Sequence, residues 1–400
     1  MESYGLISTI CGALVLAFVL GAIARKFKLS PILGYLLAGV AVGPFTPGFV
    51  GDVNLALQLA EIGVILLMFG VGLKFSLADL WSVRMVALPG ALVQMGVATG
   101  LGFLVGQAMG LSPMSSAMLG FSLSVASTVV LLRELEDRKL LKTEIGRISV
   151  GWLVIEDIAI VLAIVLLPMA AAVAAGEAGS PMDAAAAFGL TLLKIGAFVA
   201  LMLIVGARVF PWLIVQVAHL RSRELMSLGA IALALGVAYV AYFTFEASFA
   251  LGAFLAGVVL NGTKFTHKIA EDSQPLRDTF AVLFFVSVGM LFDPMTLVRE
   301  PVGVAAVVGI IVLGKGLAAL AITSAFKLPV ATGLTVAVSL AQIGEFSFVL
   351  AGMGRSFELL SDEVYNLILG GALISIGLNP FLFRFADWYL QKKASPPALA

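Results

Sequence analysis

Apolar runs long enough to cross a bilayer recur along almost the whole chain, and that recurrence limits the fold more than any single motif. A helix needs about 20 apolar residues, at 1.5 Å rise each, to traverse roughly 30 Å of hydrocarbon. Runs that meet or approach this length fall at 5–24, 31–49, 55–74, 84–108, 113–132, 148–172, 185–210, 225–244, 248–262, 276–292, 300–325, 331–353 and 363–389. They predict an all-α polytopic membrane protein of about thirteen transmembrane helices, some short (248–262) and some interrupted by Gly and Pro (31–49). Composition agrees: 61% of the 400 residues are hydrophobic and 12% charged, with mean hydropathy +1.10, where a soluble domain keeps about a quarter charged. Glu2 stands where a basic leader segment would be, so the first run is expected to be a true span and not a signal peptide.

Several function classes fall away. A formal net charge of zero argues against a nucleic-acid partner held by phosphate neutralisation. Cys11 stands alone, which excludes an intrachain disulfide and a multi-cysteine zinc site. The two histidines, His219 and His267, fall in polar connecting segments, so a histidine-rich metal centre is not expected. GMGRSFE (352–358) lacks the third glycine of a dinucleotide fingerprint and follows a membrane helix. No cofactor is expected in this chain.

Orientation follows from the basic residues. One set of loops carries Arg25, Lys26 and Lys28, then Lys74 and Arg84, then Arg133, Arg138, Lys139, Lys142 and Arg147. Arg221, Arg223, Lys264, Lys268, Arg277, Lys327, Arg384, Lys392 and Lys393 extend the same set. The opposite loops carry only Arg299 and Arg355 among many acids. By the positive-inside rule the C-terminus is expected in the cytoplasm and the N-terminus outside; the membrane expected is a plasma (bacterial inner) membrane. The lengthy polar connections, 133–147 and 263–275, then lie in the cytoplasm. Thirteen spans also divide into two six-helix halves joined by a linker helix. Seven helices separate equivalent members, so the halves would have opposite orientation, as in transporters built from inverted repeats. That division rests on helix count, since no clear residue-level repeat relates the halves.

Polar groups at depth mark the candidate site. WLVIEDIAIVLAI (152–164) sets Glu156 and Asp157 side by side in an apolar run. Asp157 is about nine residues into its span, roughly 14 Å deep. A charge there costs at least ~2.5 kcal/mol, so a function with a partner is the default expectation. Adjacent helix positions diverge by about 100°, so one acid faces a substrate pocket and the other a neighbouring helix. A buried structural ion pair is the bland alternative. Lys315 lies at similar depth between two glycines and needs a carboxylate from another helix, for which Glu156 is the candidate; a tie between helices competes with a role in proton release. GFSLSVASTVV (120–130) brings Ser122, Ser124, Ser127 and Thr128 to the fifth span, and SLAQIGEFSFV (339–349) brings Ser339, Gln342, Glu345 and Ser347 to the twelfth. Such clusters often serve only close packing. Their equivalent places in the two halves favour discontinuous helices whose free carbonyls and dipole ends hold a cation. Glu61 reads as near-surface, Glu246 as a solvated turn, and Lys194 and Arg208 as snorkelling.

With those residues in place the chain resembles the second monovalent cation:proton antiporter family, and within it the Kef-type potassium/proton antiporters. The resemblance is carried by LGYLLAGVAVGP (33–44), EIGVILLMFGVGL (61–73), SLSVASTVVLLRELED (122–137), GWLVIEDIAIVLAIVLLP (151–168), FALGAFLAGVVL (249–260), LFFVSVGMLFDP (283–294) and AQIGEFSFVLAGMG (341–354). It implies the sodium/proton-antiporter fold, with a dimerisation and a core subdomain interleaved through a transmembrane domain at 1–390, two crossed discontinuous helices, and elevator-type movement. It further implies a homodimer in the bilayer, Asp157 as the carboxylate that exchanges cation for proton, and Ser127 and Thr128 as cation ligands with it. Glu156 is grouped with this site, and Lys315, Gln342 and Glu345 with its polar support. Family members often carry Asp, Asn or Gln before the essential Asp, so Glu156 leaves stoichiometry and electrogenicity open. Kef-type proteins usually continue into a cytoplasmic nucleotide-binding regulatory domain; residues 391–400 are expected to be a short cytoplasmic tail, with such a domain or an ancillary subunit a partner outside this chain.

The expected function is exchange of a monovalent cation, potassium by the Kef resemblance, for protons. Sodium/proton exchange on the same fold and a cation channel are the alternatives, although no filter-like segment is present. An intramembrane aspartyl protease would need two carboxylates converging from different elements, and neighbours on one helix do not converge. The chain is not expected to be an enzyme.

Overall fold

A computed structural model of the chain describes residues 5–48, 50–74, 77–141, 143–174, 181–245, 247 and 249–394. Every regular element among them is helical. The first half runs α1 (Gly5–Lys26), α2 (Pro31–Val42), α3 (Val53–Lys74), α4 (Leu77–Ala108), α5 (Pro113–Ser124), α6 (Thr128–Asp137) and α7 (Glu144–Ala174). Next come α8 (Pro181–Leu201), a π-helical turn at Met202–Gly206, α9 (Ala207–His219), α10 (Arg223–Phe245), α11 (Phe249–Leu260) and α12 (Thr266–Met290). The chain continues through α13 (Thr296–Arg299), α14 (Pro301–Gly309), a second π-helical turn at Ile310–Gly314 and α15 (Lys315–Ala325). It closes with α16 (Val330–Leu340), α17 (Glu345–Ser356) and α18 (Asp362–Ala394). Among the described residues seven helical stretches are long and apolar enough to cross a membrane, and three apolar helices are shorter.

Several boundaries differ from those expected. The runs at 113–132 and 331–353, expected as discontinuous spans, are each two helices, whereas other bounds shift. The polar stretch 263–275 is helical from Thr266, continuous with the following span. Ile269 and Ser273 are buried there, one helical turn apart. An amphipathic face holds that turn, and a search for apolar runs does not see it. The run at 185–210 continues through the π turn to His219, and that at 31–49 ends as a helix at Val42. Prolines lie inside α4, α7, α9, α12 and α18, as apolar surroundings tolerate.

The helix ends have a charge logic. Lys28, Lys139, Arg221 and Lys327 follow α1, α6, α9 and α15 in the left-handed region, with φ of 58°, 57°, 54° and 56°. Glycine is the usual occupant of that position. A cation placed there faces the negative end of the helix dipole. All four belong to the basic set of loops, while Glu358 (φ 58°) holds the same position after α17 in the opposite set. The side of the loop, and not the dipole, therefore decides the sign.

Two compact units divide the chain. One comprises Met1–Val15, Val42–Ser76 and Val161–Met290. In it α3 packs on α11 and α12, and α10 on α9 and α11. The Ser287 hydroxyl donates to the Ala56 carbonyl at 2.7 Å, tying α12 to α3. The other comprises Leu16–Ala41, Leu77–Ile160 and Leu291–Ala400. In this second unit α5 packs on α4 and α17, and α15 on α4 and α16. Its core gathers Ala87, Ala91, Leu131, Leu153, Ala319 and Leu340 around a fully buried Trp152. At Gly120 a Cβ would stand 2.1 Å from the Thr99 carbonyl oxygen, so only glycine lets α5 lie this close to α4.

Candidate functional site

Two helix interruptions meet inside the second unit. The first, residues 125–127, separates α5 from α6; Val125 (φ −99°, ψ 131°) and Ser127 (φ −77°, ψ 120°) are extended there. Ser127 caps α6, its hydroxyl accepting from the Val130 N–H at 3.2 Å, as a serine at this position characteristically does. The second runs from Ala341 to Gly344, and Gly344 (φ −122°, ψ −171°) precedes α17. A Cβ on Gly344 would lie 2.4 Å from the Cα of Ser127, so the two interruptions touch backbone to backbone.

Breaking a helix in an apolar interior strands backbone polar groups, and each must be matched. Here they are. Gln342 reaches across and treats Ser127 as a strand partner: its Oε1 accepts from the Ser127 N–H at 2.8 Å and its Nε2 donates to the Ser127 carbonyl at 3.2 Å. The Ala126 N–H donates to Oε2 of Glu156 at 2.8 Å. The Ser347 hydroxyl donates to the Val125 carbonyl at 3.4 Å. On the far side, Lys315 Nζ donates to the Gln342 carbonyl at 2.9 Å. Glu156, Lys315 and Gln342 are wholly buried, and Ser127 is 1% exposed.

Asp157 occupies the middle of α7, thirteen residues beyond Glu144, about 20 Å along the helix at 1.5 Å rise. It is 5% exposed. Its Oδ2 accepts from the hydroxyl of Thr128, the first residue of α6, at 3.0 Å. Helix geometry thus separates the two acids as their adjacency requires: Glu156 meets the peptide of Ala126, and Asp157 meets a side-chain hydroxyl. Both stand beside the N-terminus of α6, where the helix dipole favours negative charge, while the Lys315 ammonium stands at the C-terminal end of α16, where it favours positive charge.

The expected contact between Glu156 and Lys315 takes a different form. Their charges interact across the buried shell, yet among the described residues no hydrogen bond or ion pair joins them. Each neutralises a different helix end. Glu156 Oε1 is buried without a hydrogen-bond partner. Glu345 begins α17, and its side chain lies outside the described residues, as does Glu246.

Two supporting residues carry no sequence signal of their own. Gln94, wholly buried on α4, donates to the Ser124 carbonyl at 3.1 Å and accepts from the Trp152 indole N–H at 3.4 Å. It joins the end of α5 to the helix that carries the acids. Asn379 of α18 donates to the Val338 carbonyl at 2.8 Å, on the last turn of α16. A lone amide in an apolar run is the only trace either leaves in one dimension. The π-helical turn at Ile310–Gly314, which ends at Lys315, leaves none; such turns recur at functional sites.

Comparison with known proteins places this geometry. The model of the transmembrane sodium/hydrogen exchanger family matches residues 14–386. The putative cation/proton antiporter YbaL of Escherichia coli K12 is 53% identical over 388 residues, covering 97% of this chain and 69% of that protein. The glutathione-regulated potassium-efflux system protein KefC of Cronobacter sakazakii is 33% identical over 387 residues, 96% of this chain and 60% of that one. The K(+) efflux antiporter 4 of Arabidopsis thaliana is 33% identical over 91% of this chain and spans further, the match covering 61% of it. Among solved structures, the sodium proton antiporter MjNhaP1 of Methanocaldococcus jannaschii at pH 8 superposes with a TM-score of 0.75 at 17% identity, over 97% of this chain and 99% of that one. At that identity the likeness is one of fold.

Proposed function

Because the chain belongs to the transmembrane sodium/hydrogen exchanger family, we propose that it exchanges a monovalent cation, potassium, for protons across a bacterial inner membrane. The observation that carries the proposal is the buried Asp157 with one oxygen on the Thr128 hydroxyl, at the N-terminus of a broken helix.

The mechanism follows from the chemistry of a buried carboxylate. Removed from water, it holds a proton tightly and releases it when a cation supplies compensating charge. Asp157 binds one species or the other and never both, so exchange is enforced by competition. Thr128 contributes a hydroxyl oxygen that turns from Asp157 toward a cation, and the capping hydroxyl of Ser127 completes an oxygen set suited to a hard ion. Proton-loaded and cation-loaded states are both neutral at Asp157, while the bare carboxylate is penalised; if loaded states alone interconvert, alternating access couples the two fluxes. Glu156 and Lys315 hold the broken helices in register, and Gln342 links them.

The same proposal covers the architecture: thirteen crossings, α5–α6 and α16–α17 as two crossed discontinuous helices, elevator-type movement, and a homodimer with its N-terminus outside and C-terminus in the cytoplasm. The relatives named for potassium efflux support the choice of cation, and their greater length supports a regulatory domain as a partner of this chain. A solved neighbour named for sodium keeps sodium as the second reading. Proton-coupled fluorescence dequenching in proteoliposomes, with potassium, sodium and lithium compared at fixed pH, separates them. Potassium is expected to dequench at the lowest concentration. Cation flux that persists without proton counter-movement would replace the antiporter by a channel.

A further inference from the structure

The second unit holds a cavity that the exchange mechanism does not use. Its volume is about 530 Å³, within the usual range of small-molecule sites, and it lies among the turn after α1, helix α6 and the later part of α18. On α6 it is lined by Val130, Glu134 and Asp137, spaced i, i+4, i+7. Val130 lies two residues past Thr128, so that face is turned about 200° from the one that meets Asp157.

The lining is charged and unbalanced. Arg25, Lys28, Arg138 and Arg384 face two carboxylates. Arg25 is matched with Asp137 at 3.2 Å, and Arg138 with Glu134 at 3.6 Å and with Asp387 outside the cavity. Lys28 and Arg384 have no carboxylate partner among the described residues. Ser30, 9% exposed, adds a hydroxyl that is buried without a hydrogen-bond partner. It precedes Pro31, the first residue of α2, yet caps nothing with its side chain. The positive end of the α2 dipole therefore adds to two uncompensated cations and a waiting donor. These are the requirements of a phosphate-bearing anion.

The surroundings identify its source. Phe381, Phe385 and Trp388 are 51%, 57% and 54% exposed, one and two turns apart along α18. The Arg384 guanidinium lies 5.2 Å from the Phe381 ring centre, and the Lys392 ammonium 5.4 Å from that of Trp388. Phe27, beside Lys28, is 68% exposed. Exposed aromatics interleaved with basic side chains are the composition of the bilayer–water interface. We propose that this cavity binds the phosphate of an anionic phospholipid headgroup, held by Lys28, Arg384 and Ser30.

Native mass spectrometry of the whole chain released from mild detergent tests it, with phosphatidylglycerol titrated against phosphatidylcholine of the same acyl length. Phosphatidylglycerol adducts are expected to persist where phosphatidylcholine adducts are lost. Each basic residue at an anionic surface contributes about fivefold, so Lys28→Ala with Arg384→Ala weakens binding about thirtyfold. Lys264→Ala with Lys268→Ala, two exposed positions in the other unit, leaves it unchanged. Should the double variant fail to fold, Arg384→Ala alone, at an exposed position, gives the fivefold loss. Equal retention of the two lipids, or unaltered affinity in a folded variant, overturns the proposal. Glycerol 3-phosphate binding as tightly as phosphatidylglycerol overturns the lipid and leaves a free phosphate. Because lipid occupancy is read without transport, the outcome is independent of the exchange mechanism.

Discussion

The two helix interruptions are built to one plan and carry opposite charge. In each, the helix that precedes the broken pair supplies a donor to a carbonyl at or just beyond the end of the first half-helix: Gln94 of α4 gives an amide to Ser124, and Lys315 of α15 gives an ammonium to Gln342. In each, the helix that follows supplies a buried polar side chain: α7 gives Glu156 and Asp157, and α18 gives Asn379. The acids thus gather at one interruption and the cation at the other. The first offers a carboxylate, Asp157, whose Oδ2 bonds a side-chain hydroxyl. The second interruption is committed: Gln342 and Lys315 are both spent on backbone, and removing either strands a peptide group.

That asymmetry sets the order of effects. Asp157→Asn should abolish exchange, because the amide can neither release a proton nor balance a cation, while Thr128 can still bond its oxygen and the protein stays folded. Near-normal cation-driven proton flux from a folded Asp157→Asn protein would place the exchanging group elsewhere. Gly344→Ala comes next. Its Cβ meets the Cα of Ser127 at 2.4 Å, where backbone cannot yield, whereas Gly309→Ala in α14 meets nothing within 4 Å. Gly344→Ala should lower both melting temperature and flux, with Gly309→Ala close to the parent. Equal behaviour of the two would show that the interruptions need not touch.

The sequence exposes the first interruption better than the second. A carboxylate pair inside an apolar run announces itself by cost alone, and a serine–threonine pair before the apolar continuation of α6 reads as a helix start. Depth along a helix is a one-dimensional quantity, so Asp157 and Lys315 can be placed at similar depth from sequence. Lateral partnership is not. Glu156 and Lys315 match in charge and depth, yet the chain spends one on the Ala126 N–H and the other on the Gln342 carbonyl. The deciding fact is where the broken backbone leaves unmatched groups, and that depends on how α5, α16 and α15 pack. Gln94 and Asn379 are hidden for the same reason, and the π turn before Lys315 because IIVLG is unremarkable as an α-helix.

A charge cycle measures how far the two interruptions are coupled. Removing one of two buried charges leaves the other uncompensated, at a cost of about 3–5 kcal/mol where a pair is in contact. Glu156 and Lys315 interact without touching, so each single change should cost less than that from the pairing itself, with a weakened bond to the backbone added. Glu156→Gln should therefore lower the melting temperature yet keep exchange, because its amide oxygen can still accept from Ala126. Adding Lys315→Gln should recover part of the loss. Strictly additive melting losses would mean that each charge serves only its own helix end. A changed reversal potential in solid-supported-membrane recordings would instead make Lys315 a proton carrier.

The smallest effects separate the two hydroxyls beside the acids. Thr128 bonds Asp157 directly, whereas Ser127 caps α6 through Val130. Thr128→Ala should raise the cation concentration for half-maximal exchange and leave stability almost untouched, since the position is only half-buried and another oxygen can replace the hydroxyl. Ser127→Ala removes a cap worth about 1 kcal/mol, so its melting temperature should fall even where its cation dependence stays near the parent. The pattern distinguishes ligand from scaffold at adjacent positions. Lowering the pH should shift half-maximal exchange to higher cation concentration in the parent and in Thr128→Ala alike, because protons compete for Asp157 whichever oxygens surround it. If neither change moves the cation dependence, the ion sits away from the start of α6, and Asp157 acts there on protons alone.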